Sequence, residues 1–237
     1  MLADVIILAG GQGTRLQGVL GDVPKCMARI AGRPFIEYQL ANLMQFKLYN
    51  VILAIGHLKE AVINHFEGYW RTCGILHSIE EEPLGTGGAL KYAVKLCTSE
   101  IFLAMNGDTL FLADLMRLFS LQERLRADAV IALRRVPDAG RYGSVVMDNS
   151  RRIIAFNEKS DPGAEGLING GIYLMKRKVI ENYPPEGKFS LEEEFLPEVC
   201  KTYKIYGVEF NDYFIDIGVP EDLERAEREL PTLGLFY

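Results

Sequence analysis

Five short and almost uniformly apolar runs constrain this chain's fold more than any other feature. They lie at residues 5–9, 51–55, 75–79, 101–105 and 129–133, and each is followed by a glycine-rich loop or a stretch of helical spacing. A strand without polar alternation is buried on both faces, as in a parallel sheet covered by helices on either side. Helical stretches are predicted at about 58–66, 87–96 and 113–126. A further helix opens near Pro34, with Ile36, Leu40 and Leu43 on one face. The expected class is α/β, a Rossmann-like, mixed but mainly parallel sheet flanked by helices.

The second half changes character. Residues 144–147 and 153–156 flank the turn Asp148-Asn149-Ser150 and read as a hairpin. A strand at 168–174 contains Gly170-Gly171, a place where something can approach the backbone closely. Ser190-Leu191-Glu192-Glu193 has the form of a capping box, with a helix running towards Val199. Late strands are expected at 204–210 and 213–217, and Pro220 suits the first turn of a last helix. With no Pro- or Ser-rich linker, no low-complexity tract and no repeat, a single domain over 1–237 is expected. Its first part would span about 1–135 and its second about 136–237.

Charge and cysteine usage exclude several function classes. A net charge of -6 over 237 residues argues against a nucleic-acid surface, which requires a concentrated basic face. Cys26, Cys73, Cys97 and Cys200 stand far apart without a C-x-x-C, so neither a zinc site nor a disulfide framework is suggested and a reducing cytoplasm is expected. The run at 5–9 is too short to span a membrane. His57, His65 and His77 have no serine or cysteine at useful spacing.

The loop after the first strand reads Leu8-Ala9-Gly10-Gly11-Gln12-Gly13-Thr14-Arg15-Leu16. Glycines let backbone amides converge on an anion, and Arg15 adds a cationic fork. It is neither a dinucleotide fingerprint, because Leu16 stands where a glycine is needed, nor a Walker loop, because Val19 stands where lysine is needed. The plain alternative is a tight strand-to-helix turn. Ten residues beyond Arg15, Pro24 stiffens the approach to Lys25, which reads as a second phosphate-binding cation or as a solvated surface lysine. Asp108 ends an apolar strand where ligands of open α/β sheets bind, and Asp216 is a carboxylate inside an apolar run.

Gly-Gly-x-Gly-Thr-Arg-Leu followed by Pro24-Lys25 resembles the sugar-1-phosphate nucleotidyltransferase family. The resemblance continues in family order at 80–88, at Asn106-Gly107-Asp108, at Glu158-Lys159 and at 213–218. Within that family, residues 83–89, Arg141-Tyr142-Gly143 and 218–222 look most like the D-glycero-D-manno-heptose 1-phosphate guanylyltransferases; Cys26 departs from the proline more often found there. The resemblance implies a nucleotide-diphospho-sugar transferase fold, GT-A-like, and a reaction in which GMP passes from GTP to a sugar 1-phosphate with release of pyrophosphate.

The family's roles fall on matching positions of this sequence. Arg15, Lys25 and Lys159 would be catalytic, with Lys159 cradling the sugar phosphate. Leu8, Gly10, Gly11, Gly13, Thr14, Glu80, Gly85 and Thr86 would bind the nucleotide. Asn106, Gly143, Glu158 and Asn169 would hold the sugar side, and Asp108 with Asp216 would hold Mg²⁺. Glu80 is the expected reader of the base, since a carboxylate accepts both guanine donors, N1–H and the exocyclic amine, at once; Glu81 and Glu82 are its substitutes. The implied partners are small molecules, a nucleoside triphosphate and a sugar 1-phosphate, with no nucleic acid and no membrane; a homodimer stays open. Other hexose 1-phosphates, mannose 1-phosphate among them, are the alternative substrates. A catalytically silent nucleotide-sugar sensor is the alternative of a different class.

Overall fold

The computed structural model describes residues 3–11, 16–140, 143–157, 163 and 165–236. The strands in chain order are β1 (Asp4–Leu8), β2 (Arg29–Ile30), β3 (Arg33–Pro34), β4 (Asn50–Ile55), β5 (Tyr69–Trp70), β6 (Cys73–Ile79), β7 (Ile101–Asn106) and β8 (Thr109–Phe111). They continue with β9 (Ala129–Val136), β10 (Ser144–Met147), β11 (Ile153–Asn157), β12 (Gly166–Lys176), β13 (Ile205–Phe210) and β14 (Phe214–Asp216). The helices are α1 (Gln17–Leu20), α2 (Phe35–Gln45), α3 (Lys59–His65), α4 (Gly85–Ala93), α5 (Leu115–Leu125), α6 (Arg177–Glu181), α7 (Leu196–Thr202) and α8 (Pro220–Glu229).

Among the described residues, eight strands form one sheet in the order β13-β9-β12-β7-β1-β4-β6-β5. Pairings β7-β1, β1-β4, β4-β6 and β13-β9 are parallel. β12 runs antiparallel to both β7 and β9, so the sheet is mixed, and it draws strands from both halves of the chain. All five apolar runs became strands. In the central strand β1 that uniform character follows from a core on each face: Val5 and Ile7 point to one cluster with Ile36, Leu40, Leu115 and Leu118 of the helices α2 and α5. Ile6 points to the other, with Leu90 and Ala93 of α4 and Leu196 of α7. Strand burial on two sides removes any reason for a polar residue to alternate.

Two differences from the sequence expectation bear on function. Thr109–Phe111 forms a strand, β8, that pairs with β14 and sets Asp216 opposite Thr109. The helix predicted from Ser190 begins instead with a π-helical turn, Leu191–Phe195. Ser190 Oγ accepts from the Glu193 amide, as a cap should, but the Ser190 amide donates to Glu194 rather than to Glu193, because the wider turn carries the next residue round. The pair Gly170-Gly171 lies under close neighbours belonging to the protein itself. A β-carbon at 170 would come within 2.6 Å of the Phe111 ring, and one at 171 within 3.1 Å of the Asn106 amide.

Candidate active site

The C-terminal ends of β1, β6 and β7 open onto a cavity of about 500 Å³, a size suited to a nucleotide-scale ligand. Leu8, Gly10, Gly11, Lys25, Glu80, Gly85, Thr86, Asn106 and Asp108 all line it, which brings together most of the described residues singled out in the sequence. Gly13, Thr14, Arg15, Glu158 and Lys159 lie outside the described residues, as do Arg141 and Tyr142.

Asp108 is positioned by a turn that leaves β7 and crosses over the end of β1. The Gly107 amide donates to Leu8 O at 2.9 Å, and a β-carbon on residue 107 would stand 2.6 Å from that same carbonyl, so the crossing needs glycine. From below, the fully buried Gln39 of α2 donates Nε2 to the carbonyls of Asn106 (2.8 Å) and Thr109 (2.7 Å), stapling both ends of the turn. Asp216 arrives on β14. The Ile217 amide donates to Asp108 O at 2.9 Å, and Ile215 and Ile217 anchor the strand in a third apolar cluster with Tyr38, Leu110 and Ala226.

Lys25 meets both carboxylates. Pro24, at φ -64°, leads into a short 3-10 turn that presents the lysine. Its Nζ lies 2.5 Å from Asp108 Oδ2 and 3.7 Å from Asp216 Oδ1. The two acids therefore flank one cation-sized position, and a small divalent ion that takes one or two carboxylates plus substrate oxygens fits them. Cys26, next in chain, is fully buried, and burial pushes its thiol up to about 12, so it stays protonated beside the charged cluster.

Glu80 follows β6 and turns back into the cavity. Its Oε2 accepts from the Leu84 amide at 2.9 Å. Burial raises its pKa and the Leu84 bond only partly offsets this. Glu81 is exposed and paired with Lys59 at 3.1 Å, which leaves Glu80 as the acid of that run that lines the cavity.

Thr86 and Asn106 lead to residues that sequence reasoning missed. Thr86 Oγ1 donates to Glu192 (2.8 Å) and accepts from the Leu191 amide (2.8 Å), so its hydroxyl ties α4 to the π turn. Glu192 lines the cavity, and burial pushes its carboxyl up, tempered first by the Thr86 hydroxyl. Tyr173 donates to Glu192 at 3.4 Å and accepts from Asn169 Nδ2 at 2.7 Å. Asn169 is thus two hydrogen bonds behind the cavity wall. Asn106 Oδ1 is buried and, among the described residues, has no hydrogen-bond partner. Gly143 has a positive φ of 78° and donates to Ala139 O at 3.0 Å, outside the lining. Lys188, on the loop before the π turn, adds an exposed amine to the cavity rim. A glutamate inside a capping box gives no sequence signal of facing a site; Lys188 gives none either.

A family model described as nucleotidyl transferase matches residues 4–232. The chain belongs to this family. Two curated relatives, both named D-glycero-alpha-D-manno-heptose 1-phosphate guanylyltransferase, match it nearly end to end. The one from Aneurinibacillus thermoaerophilus is 41% identical over 227 residues, covering 96% of this chain and 98% of the relative. The one from Campylobacter jejuni is 42% identical over 217 residues, covering 92% and 95%. Among solved structures, HddC from Yersinia pseudotuberculosis matches with a TM-score of 0.84 at 38% identity, over 95% of this chain and 98% of that one; HddC has also been solved in complex with GMP-PN. This nucleotidyltransferase has four buried free cysteines. Among its described residues, no helix is long and apolar enough to cross a membrane.

Proposed function

We propose that this nucleotidyltransferase transfers GMP from GTP to D-glycero-D-manno-heptose 1-phosphate, giving GDP-heptose and pyrophosphate, with Mg²⁺ held by Asp108 and Asp216. The observation that carries the chemistry is the convergence of these two carboxylates on one cation position at the mouth of the cavity. The likeness to two heptose 1-phosphate guanylyltransferases over most of both chains supports the substrate pair.

The nucleophile is an oxygen of the sugar phosphate. Its second pKa is about 6, so it is largely ionised near neutrality and needs no general base. What the chain must do is hold two anions in line and neutralise charge on the departing pyrophosphate. Lys25 and Arg15 serve the triphosphate, Lys159 the sugar phosphate, and Gly10 and Gly11 allow the backbone to approach the phosphates. When bound, the metal supplies Lewis-acid stabilisation of phosphate charge. Glu80 reads guanine through its two adjacent donors, a pattern that uracil and thymine lack. Glu158 contacts the sugar hydroxyls, while Asn169 supports the wall from behind through Tyr173 and Glu192, and Gly143 lies outside the cavity lining.

The test is a screen of GTP, ATP, UTP and dTTP against heptose and hexose 1-phosphates, reading pyrophosphate release with Mg²⁺. GTP with the manno-heptose 1-phosphate should give the highest kcat/KM. A better rate with mannose 1-phosphate would replace the sugar assignment, equal use of UTP would remove the base assignment, and no release with any pair would favour a nucleotide-sugar sensor.

A further inference from the structure

Asp108 and Asp216 are held close together by the backbone, through the Ile217-to-Asp108 hydrogen bond and the β8-β14 pairing. Two partly buried carboxylates at such a distance destabilise each other unless a cation stands between them. In this structure that cation is the Lys25 ammonium, whose side chain is only 13% exposed. Lys25 lines the same cavity as Gly10 and Gly11, where the triphosphate would lie. One lysine therefore has two sets of anionic partners within reach of its flexible four-carbon stem.

Resting on the metal-site reading above, we propose that Lys25 is the resident counter-ion of the metal site. In the substrate-free enzyme it occupies the charge position between Asp108 and Asp216 and opposes entry of a divalent ion. The nucleoside triphosphate draws the ammonium off the carboxylates, and the metal takes its place. Nucleotide and metal then enter cooperatively, and free metal does not by itself fill the site. Reciprocity follows: whatever factor the nucleotide adds to metal affinity, the metal adds to nucleotide affinity. The exchange also keeps an unliganded site from holding an ion in the absence of a substrate to activate.

The experiment measures Mn²⁺ binding directly, by the electron paramagnetic resonance signal of the free ion, on the full chain without sugar phosphate. Removing one opposing unit charge a few ångströms away should tighten nucleotide-free Mn²⁺ binding by Lys25→Met roughly tenfold to a hundredfold over wild type. A non-hydrolysable GTP analogue should tighten metal binding strongly in wild type and far less in Lys25→Met. Thermal unfolding gives a second readout: Mn²⁺ alone should raise the Tm of Lys25→Met more than that of wild type, and Lys25→Gln should behave the same way. Equal nucleotide-free affinities in wild type and both variants would overturn the counter-ion role while leaving the metal ligands in place. If Asp108→Asn or Asp216→Asn in the Lys25→Met background bound Mn²⁺ as well as Lys25→Met alone, the ligand assignment itself would fall, and the proposal with it.

Discussion

The Glu80 carboxylate occupies the space that a side chain on residue 10 would need: its Oε1 lies 2.7 Å from where a β-carbon on Gly10 would stand. The glycine after β1 and the acid after β6 thus form one unit, in which the bare backbone of one strand end lets the carboxylate of another turn into the cavity.

On the proposal that Glu80 reads guanine, base selection should fail in two ways. Glu80→Gln loses one charge-assisted acceptor, which costs on the order of 1.5–3 kcal/mol for GTP, or roughly tenfold to a hundredfold in kcat/KM. UTP and dTTP should change little. Gly10→Ala should reproduce much of this selectivity loss with Glu80 intact, because the added methyl displaces the carboxylate. Competition assays between GTP and UTP measure both, and unchanged selectivity in Glu80→Gln would reassign the base reader.

If Asp108 and Asp216 hold the metal as proposed, Asp108→Asn and Asp216→Asn should each lower kcat on the order of a hundredfold or more, since each then removes a ligand charge. Neither removes volume, so circular dichroism should show an unchanged fold. Near-normal metal-dependent turnover in either variant would show that its carboxylate is not a ligand.

Gln39 does not line the cavity, yet it fixes the Asn106-to-Thr109 turn from beneath. Gln39→Leu leaves one buried and one part-buried carbonyl without this donor, at about 1–3 kcal/mol for the buried one. Denaturant unfolding should show that loss of stability. Steady-state kinetics should show a fall in kcat with little change in KM for either substrate. A stability loss with normal kcat would confine Gln39 to folding.

Asp4 makes an acid-sensitive clasp. Its Oδ2 accepts from the Thr98 and Ser99 amides at 2.6 and 2.8 Å and from both hydroxyls. Burial pushes the carboxyl up, but the bonds from Ser99 and Thr98 outweigh this and leave it below its ordinary 3.8. A folded pKa below the unfolded one stabilises the protein above the unfolded value and loses that contribution as pH falls through the folded one. Asp4→Asn should therefore lower the Tm at neutral pH, and the gap from wild type should narrow below about pH 4. A gap that stays constant from pH 7 to pH 3 would mean that the charge contributes nothing.

Local chemistry was enough for most strands of the sheet, though not for β5, and for the loop positions. Residues 5–9, 51–55 and 101–105 announce strands buried on both faces because every residue in them is apolar, and that property needs no knowledge of partners. The glycines after β1 and the Asn106-Gly107-Asp108 turn mark strand ends for the same reason. Short β8 left no such mark. Three residues carry too little pattern, and its partner β14 lies about a hundred positions away in the chain.

The sequence by itself determined which residues carry charge and which strand ends they follow; only the tertiary structure decided which of them meet. Lys25 and Asp108 are 83 positions apart, and Asp216 is farther still. Their contact depends on Ile215, Ile217, Leu110 and Tyr38 packing into one cluster, a long-range event with no periodicity to read. Glu192 shows the same limit, meeting Thr86 across 106 positions. The Ser190 cap was legible, but the π winding that turns Glu192 towards Thr86 and the cavity is set by how that segment packs on α4, and a change of one residue in helical pitch decides which side chain faces inward.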